Sequence, residues 1–121
     1  MHLAIWHRDS QMLVGLIHFS NVVRGVFQAC NLGFSLDHAY VSQGFMHEAL
    51  DCAQAIVFDE WGLHRVMANH LPENMRSANV LEKLGFGEEG HAKSYLKING
   101  AWRDHVLRSK LNPSHLLNTE H

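Results

Sequence analysis

The pair Asn99-Gly100 limits the fold of this chain more than any other feature. It lies between two strand-like runs, "HAKSYLKI" and "WRDHVLRSKL". The favoured two-residue hairpin turn needs φ > 0 at both central residues, which Asn and Gly accept at little cost. The pair therefore predicts an antiparallel hairpin whose register the turn fixes. Whatever else the chain builds, it must build a sheet.

The remaining elements follow from periodicity. "QMLVGLIHFSNV" predicts a strand from Met12 to about Asn21, apolar on both faces and so expected to be covered on both sides. "HLAIWH" precedes it as a hairpin partner, turning at Arg8-Asp9-Ser10-Gln11. "FQACNLGFSL" predicts a third strand, Phe27 to Leu36. From Phe45, apolar residues fall at Phe45, Met46, Ala49, Leu50, Ala53, Ile56 and Val57, one face of a helix running to Asp59 or Trp61. "HRVMANH" predicts a short strand, His64 to His70. "PENMRSANVLEKLGF" predicts a helix opened by Pro72 and Asn74, with Ala78, Leu81 and Leu84 buried. Gly85 is its stop, and Phe86 folds back onto it. The predicted order is β-β-β-α-β-α-β-β. This is an α/β mixture in which one crossover joins parallel strands.

The length, 121 residues, predicts one domain, with a core at 1–111 and a polar tail at 112–121. A formal charge of −2 lacks the basic stripe of a nucleic-acid binder. No apolar run is long enough to span a bilayer. "MHLAIWHRDSQ" has no charged region leading into a long apolar segment, so a secretory signal is not expected. Cys30 and Cys52 stand apart, which predicts reduced thiols in a cytoplasmic protein and neither a disulfide framework nor a zinc ribbon.

One stretch resists a purely structural explanation. In "YVSQGFMHEAL", Gly44 sits where a helix starts, although other residues would make a better first turn. A strand ending at Leu36 runs through a loop into that helix. The free N–H groups of Ser42 to Met46 then form an anion site with the helix dipole. A glycine there lets a ligand lie directly on the backbone. Against this stands the plain loop glycine, the commoner case for a glycine taken alone.

The combination of "YVSQGFMHEAL", "HRVMANHLPENMRSANVLEKLGFGEEG" and "YLKINGAWRDHVL" resembles the GNAT superfamily of acetyl-CoA-dependent N-acetyltransferases, over nearly all of Leu13 to Leu111. "N…S…LEKLGF" carries the wider resemblance. "NGAWRDHVL" carries that to the ribosomal-protein-alanine N-acetyltransferase branch. The resemblance implies a GNAT-like mixed, mostly antiparallel sheet with flanking helices, truncated at its N-terminus, since relatives carry a further first strand and helices that wall the acceptor groove. It implies acetyl-CoA as cosubstrate with no metal, and a primary amine as acceptor, of the ribosomal-protein N-terminus type. No direct nucleic-acid or membrane partner is implied. A sheet edge exposed by truncation predicts a homodimer.

Site residues follow from the same resemblance. The family's phosphate loop, Gln/Arg-x-x-Gly-x-Gly/Ala, maps to Val41, Ser42, Gln43, Gly44, Phe45 and Met46, where only the glycine of the pattern survives. Phe34, Ser35 and Leu36 match the strand end that pairs with the pantetheine arm, and the backbone amide of Leu36 polarises the thioester carbonyl. Asn74 matches the asparagine that hydrogen-bonds the pantetheine. Ser77 matches a serine that stabilises the departing thiolate. Leu81 stands where many relatives carry a tyrosine acid.

For the general base the candidates are Glu88, Glu89, Asp104 and His105, each more often a structural or surface residue. Arg103-Asp104 reads as a salt-bridged rim in preference to an acceptor contact. Cys30 lies on the acetyl-binding strand, where a packed small residue is the default. Trp61 and Trp102 read as core or interface residues. A metal held by His64 and His70 is a minor alternative. An inactive acetyl-CoA-binding or dimerisation module is the competing reading of the whole chain.

Overall fold

A computed structural model of the chain describes residues 1–6, 13–36 and 45–116. The predicted turn at residues 8–11, the loop residues Val41 to Gly44 and the last five residues of the tail lie outside them. Six strands form one sheet in the order β1-β2-β3-β4-β6-β5. They are β1 (His2–Trp6), β2 (Leu13–Val23), β3 (Ala29–Leu36), β4 (Arg65–His70), β5 (Gly87–Ile98) and β6 (Ala101–Leu111). Helix α1 (Phe45–Ala55) leads into β4, α2 (Met75–Lys83) leads into β5, and a short α3 (Pro113–Leu116) follows β6. The element order is the predicted one. All strand pairs are antiparallel except β3 with β4, which the α1 crossover joins in parallel.

The core forms where strand and helix periodicities meet. Every second residue of the central strands points to one face, so Ile17, Phe19, Cys30, Leu32, Val66 and Ala68 are buried together. Against them lie Met46, Leu50, Ala53 and Val57, the predicted stripe of α1, and Leu81 of α2. The other face of β2 departs from expectation. Leu16 is 49% exposed and His18 is also exposed, so the strand is covered on one side only. Two apolar runs in phase with a strand mimic a doubly covered one, and the sequence does not distinguish them.

Local chemistry sets the ends of the elements. Asn74 caps α2 by accepting a hydrogen bond from the Ser77 amide at 3.2 Å. At the other end Gly85 has φ +91°. The Phe86 amide donates to the Leu81 carbonyl (2.9 Å) and the Gly85 amide to the Glu82 carbonyl (3.0 Å), the paired bonds of a Schellman stop. Asn99 (φ 51°) and Gly100 (φ 82°) make the predicted hairpin turn between β5 and β6. α1 ends earlier than its apolar stripe suggests. From Ile56 to Glu60 the backbone widens into a π-helical turn that still buries Val57 and Phe58.

β3 starts at Ala29 and not at Phe27, because Gly25 (φ 76°) and Gln28 (φ 50°) hold a turn there. The polar tail expected from residue 112 begins inside the fold. Asn112 is 1% exposed and donates to the carbonyls of Phe58 (3.1 Å) and Leu63 (2.9 Å).

Candidate active site

The sheet forks at its centre. β3 and β4 pair only through Ala29–Arg65, Cys30–Val66 and Asn31–Met67. Beyond that point β3 runs on to Leu36 beside β2, and β4 runs on to His70 beside β6. Two strand ends diverge, and among the described residues each leaves an unpaired backbone edge. Polar groups on such an edge need partners, so the fork is suited to an extended ligand that carries amides of its own.

The N-terminus of α2 closes over the fork. A cavity of about 250 Å³ is lined by Phe34, Ser35, Met46, Asn74, Arg76, Ser77 and Val80. A second, of about 350 Å³, shares Phe34, Asn74 and Ser77 with it and extends between the strands to Gly33, Asn69, His70 and His105. The two make one cleft through the sheet. Five residues singled out from the sequence, Phe34, Ser35, Met46, Asn74 and Ser77, meet there, although the chain separates them by up to 43 positions (77 − 34). Leu36 ends β3 opposite Gly15 and Phe45 opens α1, so the backbones of both flank residues 37–44.

The polar groups of the cleft have defined roles. The Asn74 Oδ1 is engaged as helix cap, which leaves its amide NH₂ as the donor for a ligand. Ser77 lines both cavities. Leu81, at the tyrosine position of many relatives, is 1% exposed and part of the core, so it donates nothing. His70 accepts from Arg108 Nε (3.0 Å) and donates from Nδ1 to the Leu71 carbonyl (2.8 Å), so both its nitrogens are occupied. Arg108 also reaches the Phe86 carbonyl (3.2 Å) and Glu82 (3.1 Å).

The candidate bases separate. Glu88 pairs with His91 and Glu89 with Arg65, each at 2.6 Å. Asp104 accepts from the Ser94 amide (2.8 Å) at a bulge in β5. Arg103 pairs with Glu73 on the rim, as expected. Of the four candidates, His105 alone lines the cleft, and no carboxylate does among the described lining residues.

Other expectations resolve as packing. Cys30 is fully buried, and burial pushes its thiol up to about 11, against a smaller opposing pull from the N-terminal ammonium. It is a core residue. His64 lies against His115, Nδ1 to Nδ1 at 3.0 Å, and so is engaged apart from His70. Trp61 packs edge-on against Phe19, whereas Trp102 is 62% exposed.

The sequence reading missed two features, the Arg108–His70 bond and the bed under His18. A Cβ on Gly33 would lie 2.3 Å from His18 Cε1, so the glycine makes room for that ring. An isolated glycine inside a strand was the available signal. Nothing local marks Arg108.

The chain with this forked mixed sheet belongs to the acetyltransferase (GNAT) domain family, whose model matches residues 1–87. Within the family it is 44% identical over 112 residues to the [Ribosomal protein uS5]-alanine N-acetyltransferase of Escherichia coli (strain K12), covering 93% of this chain and 58% of that enzyme. Among solved structures, the ribosomal-protein-S5-alanine acetyltransferase from Vibrio fischeri superposes with a TM-score of 0.85 at 43% identity, covering 88% of this chain and 58% of that one. Mycobacterium smegmatis RimJ, solved in complex with CoA-disulfide, gives 0.81 at 33% identity over 87% of this chain and 50% of that one. The chain thus spans little more than half the length of these relatives. Among the described residues, no helix is long and apolar enough to cross a membrane.

Proposed function

We propose that the chain transfers an acetyl group from acetyl-CoA to a primary amine, the α-amine of a protein N-terminus of the ribosomal type, in the cytoplasm. The observation that carries this reading is the fork. It gathers Phe34, Ser35, Met46, Asn74 and Ser77 around one cleft at the N-terminus of α2. The pantetheine arm lies along the free edge of β3, with the Asn74 amide as a donor to it. The amides of Val41 to Met46 receive the pyrophosphate. The Leu36 amide polarises the thioester carbonyl, and the Ser77 hydroxyl meets the charge that grows on sulfur. The identity to the uS5-alanine enzyme supports the choice of acceptor. The chain works as a homodimer, which covers apolar side chains such as Trp6 (62% exposed) and Leu16.

Calorimetric titration with acetyl-CoA, followed by thiol release with an Ala-initiated peptide, tests the reading. Saturable binding and peptide-dependent release are expected, and Gly44→Glu abolishes both by placing a carboxylate at the pyrophosphate. Absence of binding at millimolar acetyl-CoA rejects the proposal. Binding without release with any amine favours a binding module.

A further inference from the structure

The cleft holds two buried imidazoles, and they are not equivalent. His70 is 6% exposed and His105 is 4% exposed. His70 has spent both ring nitrogens, one on Arg108 Nε and one on the Leu71 carbonyl. His105 has spent one. Its Nδ1 lies 3.0 Å from the Arg103 carbonyl, and a carbonyl can only accept, so Nδ1 carries the proton. Nε2 therefore carries the lone pair. The single enclosed, unpartnered side-chain atom among the described residues is Gln54 Oε1, so Nε2 is reachable, and His105 is a lining residue of the cleft.

We propose that His105 Nε2 is the proton acceptor for the incoming amine. The inference rests on the acetyl-transfer reading and names the base which that reading leaves open. An N-terminal amine has a pKa near 8, so it arrives mostly as ammonium, which has no lone pair to attack with. His105 Nε2 takes one proton from it. The neutral nitrogen attacks the thioester carbonyl carbon, the C–N bond forms and the C–S bond breaks. The second proton, left on the new amide nitrogen, goes to the departing thiolate, and the imidazolium returns its proton to solvent. The products are the acetamide, the free thiol and one released proton.

Position supports the role. His105 stands on β6, whereas the described residues among those predicted to bind acetyl-CoA stand on β3, at the start of α1 and at the N-terminal end of α2. Donor and acceptor thus enter from different arms of the fork. The Arg103 carbonyl fixes the tautomer, and the Tyr95 ring, 5.7 Å away between centroids, limits the tilt of the imidazole. The titratable groups facing the cleft besides His105 are His18 from β2, His70 from β4 and Arg76 from α2, with Tyr95 of β5 against the ring itself.

His105→Asn is the informative variant. The Asn amide falls where Nδ1 was and can still donate to the Arg103 carbonyl, so the structural bond is kept while Nε2 is lost. Turnover with an Ala-initiated peptide should fall about tenfold at pH 7 and converge on wild type above about pH 9, where the amine is neutral without help. Acetyl-CoA affinity and melting temperature should hold. A loss that is the same at every pH, or no loss, overturns the assignment. If His105→Asn does not fold, His105→Gln is read by the same criteria. Histidine ¹⁵N NMR adds a readout independent of activity: a protonated Nε2 and bare Nδ1 on His105 overturns the inference outright. Wild type that releases no thiol with any amine rejects the acetyltransferase reading, and this inference falls with it. An active wild type with an unaffected variant rejects only His105.

Discussion

The two edges of β4 differ, and the difference divides stability from chemistry. Toward β6 the strand is paired at all six residues, Arg65 to His70. Toward β3 it is paired at three and then parts company. The closed seam carries the Arg108 network, which ties β6 to β4, to α2 and to the segment after it. The open seam carries the predicted site residues. A sheet that must hold a ligand between two of its own strands gives up ladder bonds there, and the neighbouring seam has to hold the halves together.

If that division is right, the closed seam responds most strongly to change. Arg108→Ala leaves two buried acceptors, His70 Nε2 and the Phe86 carbonyl, without a donor. At about 1–3 kcal/mol for each buried unpaired group, the expected loss is about 2–6 kcal/mol. The exposed Glu82 returns to water and adds little. Urea unfolding measures this, and a loss under about 1 kcal/mol would break the comparison, because the fork would then be held by something else.

Changes in the open seam should appear in chemistry before stability. On the proposed reading, Ser77→Ala removes a donor to a charge that exists only as the C–S bond breaks, so turnover should fall while acetyl-CoA affinity stays. About tenfold is expected, since charge on sulfur is diffuse. The contrary account is a serine that merely stabilises the first turn of α2. It predicts a lower melting temperature with normal turnover per folded molecule, and both are measured on one sample. Asn74→Ala is smaller in energy but mixed in kind. It loses the cap to the Ser77 amide, about 1 kcal/mol, and weakens acetyl-CoA binding at once. Unchanged affinity with lowered stability would reduce Asn74 to a cap.

The sequence showed the parts of this fold that depend on neighbours in the chain. The Asn99-Gly100 turn, the Gly85 stop with Phe86 behind it, and the Asn74 start are each written in a few adjacent residues. All appear where the pattern put them. The stripe of α1 was legible too, but not its π-helical end, because Ile56 to Glu60 carry no local signal for a wider turn. The fork was invisible. It arises from the divergence of two strands more than thirty positions apart, and no residue encodes it alone. The same holds for His105. The sequence placed it among four candidates, and only the Arg103 carbonyl and the cleft single it out. The site residues came from family resemblance, and those in the loop, Val41 to Gly44, lie outside the described residues.

The boundary between the closed and open parts of the β3–β4 seam can be located with a thiol. Cys30 pairs with Val66, one step before the last pair, Asn31 with Met67. It should therefore lie just on the closed side. Burial raises its pKa to about 11, while in the unfolded chain a thiol titrates near 8.5. Between those values the folded chain keeps a proton that the unfolded chain has lost. The folded state binds more protons, so stability is full below the unfolded value and falls as pH rises through the window. Cys30→Ala has no thiol to titrate. At pH 7 it should be less stable than wild type by about 0.8 kcal/mol, the worth of one buried methylene-sized group. By pH 10 that gap should close and reverse, because wild type alone bears the thiolate penalty, about 1.4 kcal/mol for each pH unit above the unfolded value. Lys110, whose pKa burial lowers, is common to both proteins and cancels in the difference. Labelling gives the same boundary by another route. Cys52 is exposed on α1 and should react promptly with a thiol reagent, whereas Cys30 should react only on unfolding. Equal reactivity of the two, together with a gap that does not change with pH, would place the opening of the fork below Asn31 and move the floor of the cleft with it.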